Sequence, residues 1–151
     1  MVRTATPEDL DDVARLITEF RDWFGKDEPS DESIRSTAAR LLEDPATEYL
    51  LAVDADAAAV GVCQLRFRLS VWTGADDCWL EDLFVTENAR SDGHGRALVE
   101  AAFDAARARG CKRIELDVNV ENEAALRLYT GLGFTTEPKP PGRTLFISRR
   151  L

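Results

Sequence analysis

One segment restricts the fold more than any other. The apolar run Leu83-Phe84-Val85 leads into Arg90-Ser91-Asp92-Gly93-His94-Gly95-Arg96, and a long amphipathic stretch follows. Gly93–Arg109 carries apolar residues at helical spacing and closes at Gly110, a residue suited to the left-handed turn after a helix. Arg113–Val118 then alternates charged and apolar residues as a strand does. Strand, helix and strand in that order require a parallel crossover, right-handed by default. The strand candidates Tyr49–Val53, Val60–Val71 and Cys78–Val85 follow one another through short connections, which predicts antiparallel hairpins. A chain holding both patterns has to build a mixed sheet.

The remaining elements fit around that sheet. Val2-Arg3-Thr4-Ala5 reads as a short strand, and Thr6-Pro7-Glu8-Asp9 as a helix start with its cap, its proline and its first-turn acids. Leu10, Val13, Leu16, Ile17 and Phe20 predict a helix to about Trp23. A loop from Gly25 precedes a second helix, opened by Ser30 or Asp31 and stopped at Glu43-Asp44-Pro45. Glu123–Leu132 predicts a short helix before Gly133, Thr144–Ser148 a last strand, and another strand is expected near Phe134. The expected class is α/β: a mixed, mostly antiparallel sheet with helices on both faces, built as one domain over residues 1–151.

The glycine loop has a specific chemical meaning. Glycines allow backbone amides to approach a ligand, and a new helix presents unpaired N–H groups with a partial positive charge. Together they suit a pyrophosphate. A dinucleotide fingerprint needs Gly or Ala where Leu98 stands, and a Walker loop needs Gly-Lys-Ser/Thr, which is absent. Both nucleotide readings fail.

These residues resemble the GNAT acetyltransferase superfamily. Val85 followed by Arg90-Ser91-Asp92-Gly93-His94-Gly95 matches its cofactor signature, Arg/Gln-x-x-Gly-x-Gly/Ala after a strand. A second family pattern is met by Asn122, Ala125, Leu128, Tyr129, Gly133 and Phe134. Glu87 and Ser91 depart from the commoner Pro and Gly, and neither removes a backbone donor. The resemblance implies an N-acetyltransferase using acetyl-coenzyme A as co-substrate, with no metal. It also implies a bulge in the strand before the loop. Main-chain groups of Leu83 and Val85 would then meet the acetyl and pantetheine portions, an N–H there polarising the thioester carbonyl. Amides from Ser91 to Arg96, through Gly93, His94 and Gly95, would surround the pyrophosphate, with Asn122 and Ala125 near the pantetheine arm. Tyr129 would protonate the departing thiolate.

The chemistry also needs a neutral amine, and an alkyl amine of pKa about 10.4 is almost wholly protonated at neutral pH. Leu80-Glu81-Asp82-Leu83-Phe84-Val85 resembles the corresponding strand of diamine acetyltransferases, where this Glu is a base acting through water. By strict alternation Glu81 shares a face with Leu83 and Val85, and Asp82 points the other way unless a bulge rotates it. His94, the only histidine, sits at the variable place between two glycines and is expected to face outward. Cys63, Cys78 and Cys111 have no partner by spacing that would support an acyl-enzyme. Trp23, Phe24, Trp72 and Trp79 are expected near the acceptor.

Charge narrows the acceptor. Residues 1–60 hold fifteen Asp and Glu against six Lys and Arg, which is the whole net charge of −9; residues 61–151 balance at thirteen of each. Such a chain is not suited to nucleic acid, and it can concentrate a cation. Asp27 and Glu28, with Asp82 and Trp23, are the expected acceptor-binding residues, and a polyamine or lysine-like amine leads. An aminoglycoside, a protein or peptide amine, and a non-catalytic acyl-CoA-binding sensor are the alternatives. Odd, scattered cysteines and an N-terminus without an apolar leader favour the cytoplasm. No apolar run is long enough for a membrane span, and a homodimer and a monomer are both compatible with the chain.

Overall fold

The computed structural model describes residues 1–135 and residue 149. They fall in two compact units, 1–117 and 118–151. The first contains β1 (Val2–Thr4), a 3-10 turn (Pro7–Asp9), α1 (Leu10–Trp23), α2 (Asp31–Glu43), β2 (Thr47–Val53), β3 (Ala59–Ser70), β4 (Ala75–Val85), a second 3-10 turn (Glu87–Ala89), α3 (His94–Ala108) and β5 (Ile114–Glu115). The second contains α4 (Glu123–Gly131). Among the described residues the sheet runs β1-β2-β3-β4-β5. Its first four strands are antiparallel and β5 lies parallel to β4, as the crossover pattern requires.

Local chemistry explains where the helices begin. The Asp9 carboxylate accepts the Thr6 N–H at 2.8 Å and the Thr6 hydroxyl at 3.1 Å, and Arg3 grips it at 2.6 and 2.8 Å. The Arg3 guanidinium holds this carboxyl well below the usual carboxylate range, although burial opposes it. Ser30 caps α2 by accepting the Ser33 N–H at 3.3 Å.

Helices cover both faces of the sheet. Val13 and Leu16 of α1 and Ala38 of α2 share a buried cluster with Tyr49, Leu51, Val62 and Phe84. On the opposite face α3 comes very close at Gly61. A Cβ there would lie 3.1 Å from the Phe84 carbonyl oxygen, 3.2 Å from Leu98 and 3.2 Å from Val85. Gly61→Ala is therefore expected to cost about 1–3 kcal/mol, the usual penalty for overfilling a packed interior. Urea unfolding measures it, and an unchanged midpoint would mean that α3 shifts without cost.

Two strand expectations change. Arg113–Val118 is expected as a strand, but only Ile114–Glu115 pairs, because the ladder with β4 stops at Trp79. A bulge lies just beyond, and bulges bend and twist a strand away from its neighbour. Phe134 and Thr135 belong to no strand. The rest of that segment, with the expected strand Thr144–Ser148, lies outside the described residues. No described helix is long and apolar enough to cross a membrane.

Candidate active site

The geometry begins with a strand that loses one neighbour. β4 pairs with β5 only through Cys78 opposite Ile114 and Trp79 opposite Glu115. There the Cys78 N–H donates to the Arg113 carbonyl at 3.1 Å. β4 then continues to Val85 held by β3 alone, with Leu83 opposite Cys63 and Val85 opposite Gly61. Backbone groups along a strand alternate between its two edges. The Thr86 N–H faces β3, donating to the Val60 carbonyl at 2.9 Å. The main-chain groups of Leu83 and Val85 therefore face the opposite edge, where β5 no longer pairs. Such an edge can receive an extended, amide-bearing ligand by strand-like hydrogen bonds.

The loop after β4 ends in a helix start with no side-chain cap. Ser91 and Gly93 take positive φ of 72° and 84°, a region that costs serine strain and glycine little. Gly93 is the cap residue of α3 and makes no side-chain cap bond, and the Ala97 N–H donates to its carbonyl at 3.0 Å. The amides of His94, Gly95 and Arg96 thus lie in the first turn, where no helical acceptor exists. With the helix dipole they have the chemistry that suits an anion. The residues present fit a pyrophosphate followed by a pantetheine arm.

Side chains in this loop serve other contacts. Arg96 reaches Glu100 at 3.3 Å, so its main-chain N–H is what it offers an anion. Arg90 donates through Nε to the Val85 carbonyl at 3.1 Å, and its guanidinium lies 5.2 Å from the Trp23 ring and 5.8 Å from the Phe84 ring. His94 is half-buried at the first helical position.

The strand segment where acceptor-binding residues are expected contains a bulge. Register passes from Gln64 opposite Asp82 to Leu65 opposite Leu80, which leaves Glu81 as the extra residue. Strict alternation therefore does not hold across Glu81. Asp82 lies opposite Gln64 and two residues from Phe84, on the sheet face that α1 and α2 cover. Beneath it the Tyr49 hydroxyl donates to Gln64 Oε1 at 3.0 Å, both side chains buried. Glu81 is exposed and Asp82 half-buried. Burial first, then the charges of Glu81 and Asp117, push the Asp82 carboxyl up to about 6.

Phe84 extends this face into an aromatic wall. Its ring lies 5.3 Å from Phe20, which lies 4.9 Å from Phe24 and 6.4 Å from Trp23. Trp23 and Phe24 remain 49% and 53% exposed. Asp27 and Glu28 are exposed in the loop after α1, while Arg21 holds Asp22 at 2.6 Å and Asp31 at 2.7 Å. Trp72 does not join the wall; it is 93% exposed at the β3–β4 turn, the other end of β4 from Asp82. Trp79 is half-buried opposite Arg66.

Within the second unit, Asn122 caps α4, its Oδ1 accepting the Ala125 N–H at 3.2 Å. Tyr129 is 7% exposed, with its ring 5.6 Å from Phe134 in an edge-on arrangement. Cys63 and Cys78 are buried. Burial pushes both thiols up, Cys78 to about 12, which disfavours the nucleophilic thiolate. No group of His, Cys, Asp and Glu among the described residues could hold a metal ion.

Reasoning from the residues alone missed three features: the close approach at Gly61, the Tyr49–Gln64 pair under Asp82, and the Arg90 stack on Trp23 and Phe84. Gly61 inside an otherwise strand-like run was a usable signal, since such a glycine often marks a close backbone approach.

Comparison with known proteins gives a consistent picture. The model of the acetyltransferase (GNAT) family matches residues 11–134. An aminoglycoside N(6')-acetyltransferase type 1 of Stenotrophomonas maltophilia is 30% identical over 88% of this chain and 84% of its own. Thialysine N-epsilon-acetyltransferase of Bos taurus is 28% identical over 88% and 82%. A mycothiol acetyltransferase of Beutenbergia cavernae is 34% identical over 69% of this chain, which spans only 33% of that longer relative. A solved structure from Arthrobacter sp. FB24 has a TM-score of 0.87 and 31% identity, covering all of this chain and 96% of that one.

Proposed function

Because this chain belongs to the acetyltransferase (GNAT) family, we propose that it transfers the acetyl group of acetyl-coenzyme A to the primary amine of a small, cationic acceptor. A polyamine or a lysine-like amino acid is the leading acceptor, attacking directly within a ternary complex. The observation that carries the reading is the half-open edge of β4 beside the uncapped start of α3. Acetyl-coenzyme A supplies the activated acyl group. The amides from Ser91 to Arg96 hold its pyrophosphate, and main-chain groups of Leu83 and Val85 hold the arm and polarise the thioester carbonyl. Asn122 and Ala125 also serve the pantetheine, and Tyr129 gives a proton to the sulfur as it leaves. Residues 1–151 act as one N-acetyltransferase domain, a reading supported by a family match that runs through the boundary between the two units.

The acceptor class rests on charge. The entire net charge of −9 lies in residues 1–60, and Asp27 and Glu28 are exposed in the loop that follows Trp23 and Phe24. The relative named thialysine N-epsilon-acetyltransferase supports an amino-acid-like, dicationic acceptor. An aminoglycoside is the second reading, favoured by the relative from Stenotrophomonas maltophilia. Acetyl-coenzyme A turnover against polyamines, aminoglycosides, amino acids and peptides separates them, and no amine-dependent thiol release from any would leave a non-catalytic acyl-CoA-binding protein.

Salt provides a quantitative check. Attraction spread over an exposed acidic surface is screened within about 10 Å at 0.1 M salt. The kcat/KM for a diamine is expected to fall severalfold as ionic strength rises, mainly through KM. Replacing Asp27 and Glu28 with Lys should give the same loss at low salt. Equal turnover of neutral amines, with no salt effect, would make these carboxylates ordinary solvated groups.

A further inference from the structure

Taking the acetyl-transfer reading and its aromatic acceptor side as given, we infer that Arg90, helped by Lys26, recognises a carboxylate on the acceptor. An amino acid that carries a second ammonium group is then preferred over a polyamine.

Arg90 stands where the two parts of the site meet. Its Nε donates to the Val85 carbonyl at 3.1 Å, and that carbonyl belongs to the edge of β4 that β5 leaves open. Its guanidinium lies over the Trp23 ring at 5.2 Å and over the Phe84 ring at 5.8 Å. Trp23 meets Phe24 edge-on at 5.0 Å, and the Lys26 ammonium lies over the Phe24 ring at 5.6 Å. Each of the two exposed rings therefore already carries a cation. Arg90 belongs to the cofactor loop by sequence, yet its side chain contacts β4 and α1.

Neither cation is neutralised. Arg15 and Arg21, on the same helix as Trp23, each hold two carboxylates. Among the described residues Arg90 and Lys26 hold none, although Asp27 and Glu28 follow Lys26 directly in the sequence. With Nε on Val85 and its plane over two rings, Arg90 leaves both terminal amino groups without a protein acceptor. That edge is a planar fork matched to a carboxylate, and the apolar rings beside it strengthen such a pair. A polyamine along the same rings would bring like charge against both cations. The acidic first part of the chain then draws in the ammonium groups, and the fork chooses between molecules that carry them.

Matched substrates test the assignment on the full-length protein. Lysine and cadaverine differ only by the carboxylate, as do ornithine and putrescine. Wild-type kcat/KM should favour the amino acid of at least one pair by about tenfold or more, the worth of a hydrogen-bonded charge pair. In Arg90→Gln that ratio should fall by about ten- to a hundredfold, and Arg90→Lys should keep part of it, having charge without the fork. Lys26→Gln should lower the ratio about two- to fivefold, as suits an exposed charge. Where turnover is slow, calorimetry of the same pairs on the coenzyme A complex reads the same ratios. A wild type that acetylates amines without preferring either amino acid overturns the assignment and leaves acetyl transfer standing. So does an unchanged ratio in Arg90→Gln; if acetyl-coenzyme A binding weakens there instead, the guanidinium serves the cofactor. Absence of amine-dependent thiol release in the wild type overturns both.

Discussion

Gly95→Val is expected to abolish coenzyme A binding while the fold survives. Gly95 is the second residue of α3, in the turn whose amides have no helical acceptor. A β-branched side chain there stands among the very N–H groups that must approach the pyrophosphate. The fold should not suffer, because valine is slightly better than glycine inside a helix. That separates this position from Gly93, whose φ of 84° would strain any other residue and confuse loss of fold with loss of site. Calorimetry should register at least a hundredfold weaker binding, about 2.7 kcal/mol, with a melting temperature at or above the wild type. Unchanged affinity would remove this loop from the cofactor site.

Tyr129→Phe is expected to lower kcat by about ten- to a thousandfold with little change in acetyl-coenzyme A affinity. The change deletes a proton donor and leaves the ring, so the Phe134 contact at 5.6 Å persists. A thiolate whose thiol has pKa near 8.5 can leave unaided but leaves faster with a proton donor at sulfur, and an acid acting in the transition state alone affects kcat and not ground-state binding. The loss corresponds to about 1.4–4 kcal/mol of barrier. The basic limb of the rate profile should go with the hydroxyl, since that limb reports the acid. Full activity in the variant would return Tyr129 to the role of a buried aromatic beside Phe134.

The Gly95 position was legible from residues alone for a local reason, whereas Tyr129 was singled out by its place in the family motif. The loop before α3 depends on which positions lack a Cβ and on where a helix starts, and short-range sequence encodes both. Helix starts at Thr6 and Ser30, and the crossover from Cys78 to Ile114, have the same character. The bulge at Glu81 belongs to another kind. A bulge is one residue unmatched by a neighbouring strand, so no property of Leu80-Glu81-Asp82-Leu83 announces it without the register of β3. The early end of β5 and the isolation of Trp72 are likewise outcomes of pairing and turn position.

Periodicity and glycine placement by themselves determined the mixed sheet, the crossover and a glycine loop at a helix start, because those features follow from backbone preferences within a few residues. The motifs also carried the family, whose model covers residues 11–134. Only the tertiary structure decided that Glu81 is the unmatched residue of β4 and that β5 stops pairing at Trp79. A one-residue slip in register reverses the face of every later side chain, and burial next to Glu81 and Asp117 then sets how firmly Asp82 holds a proton.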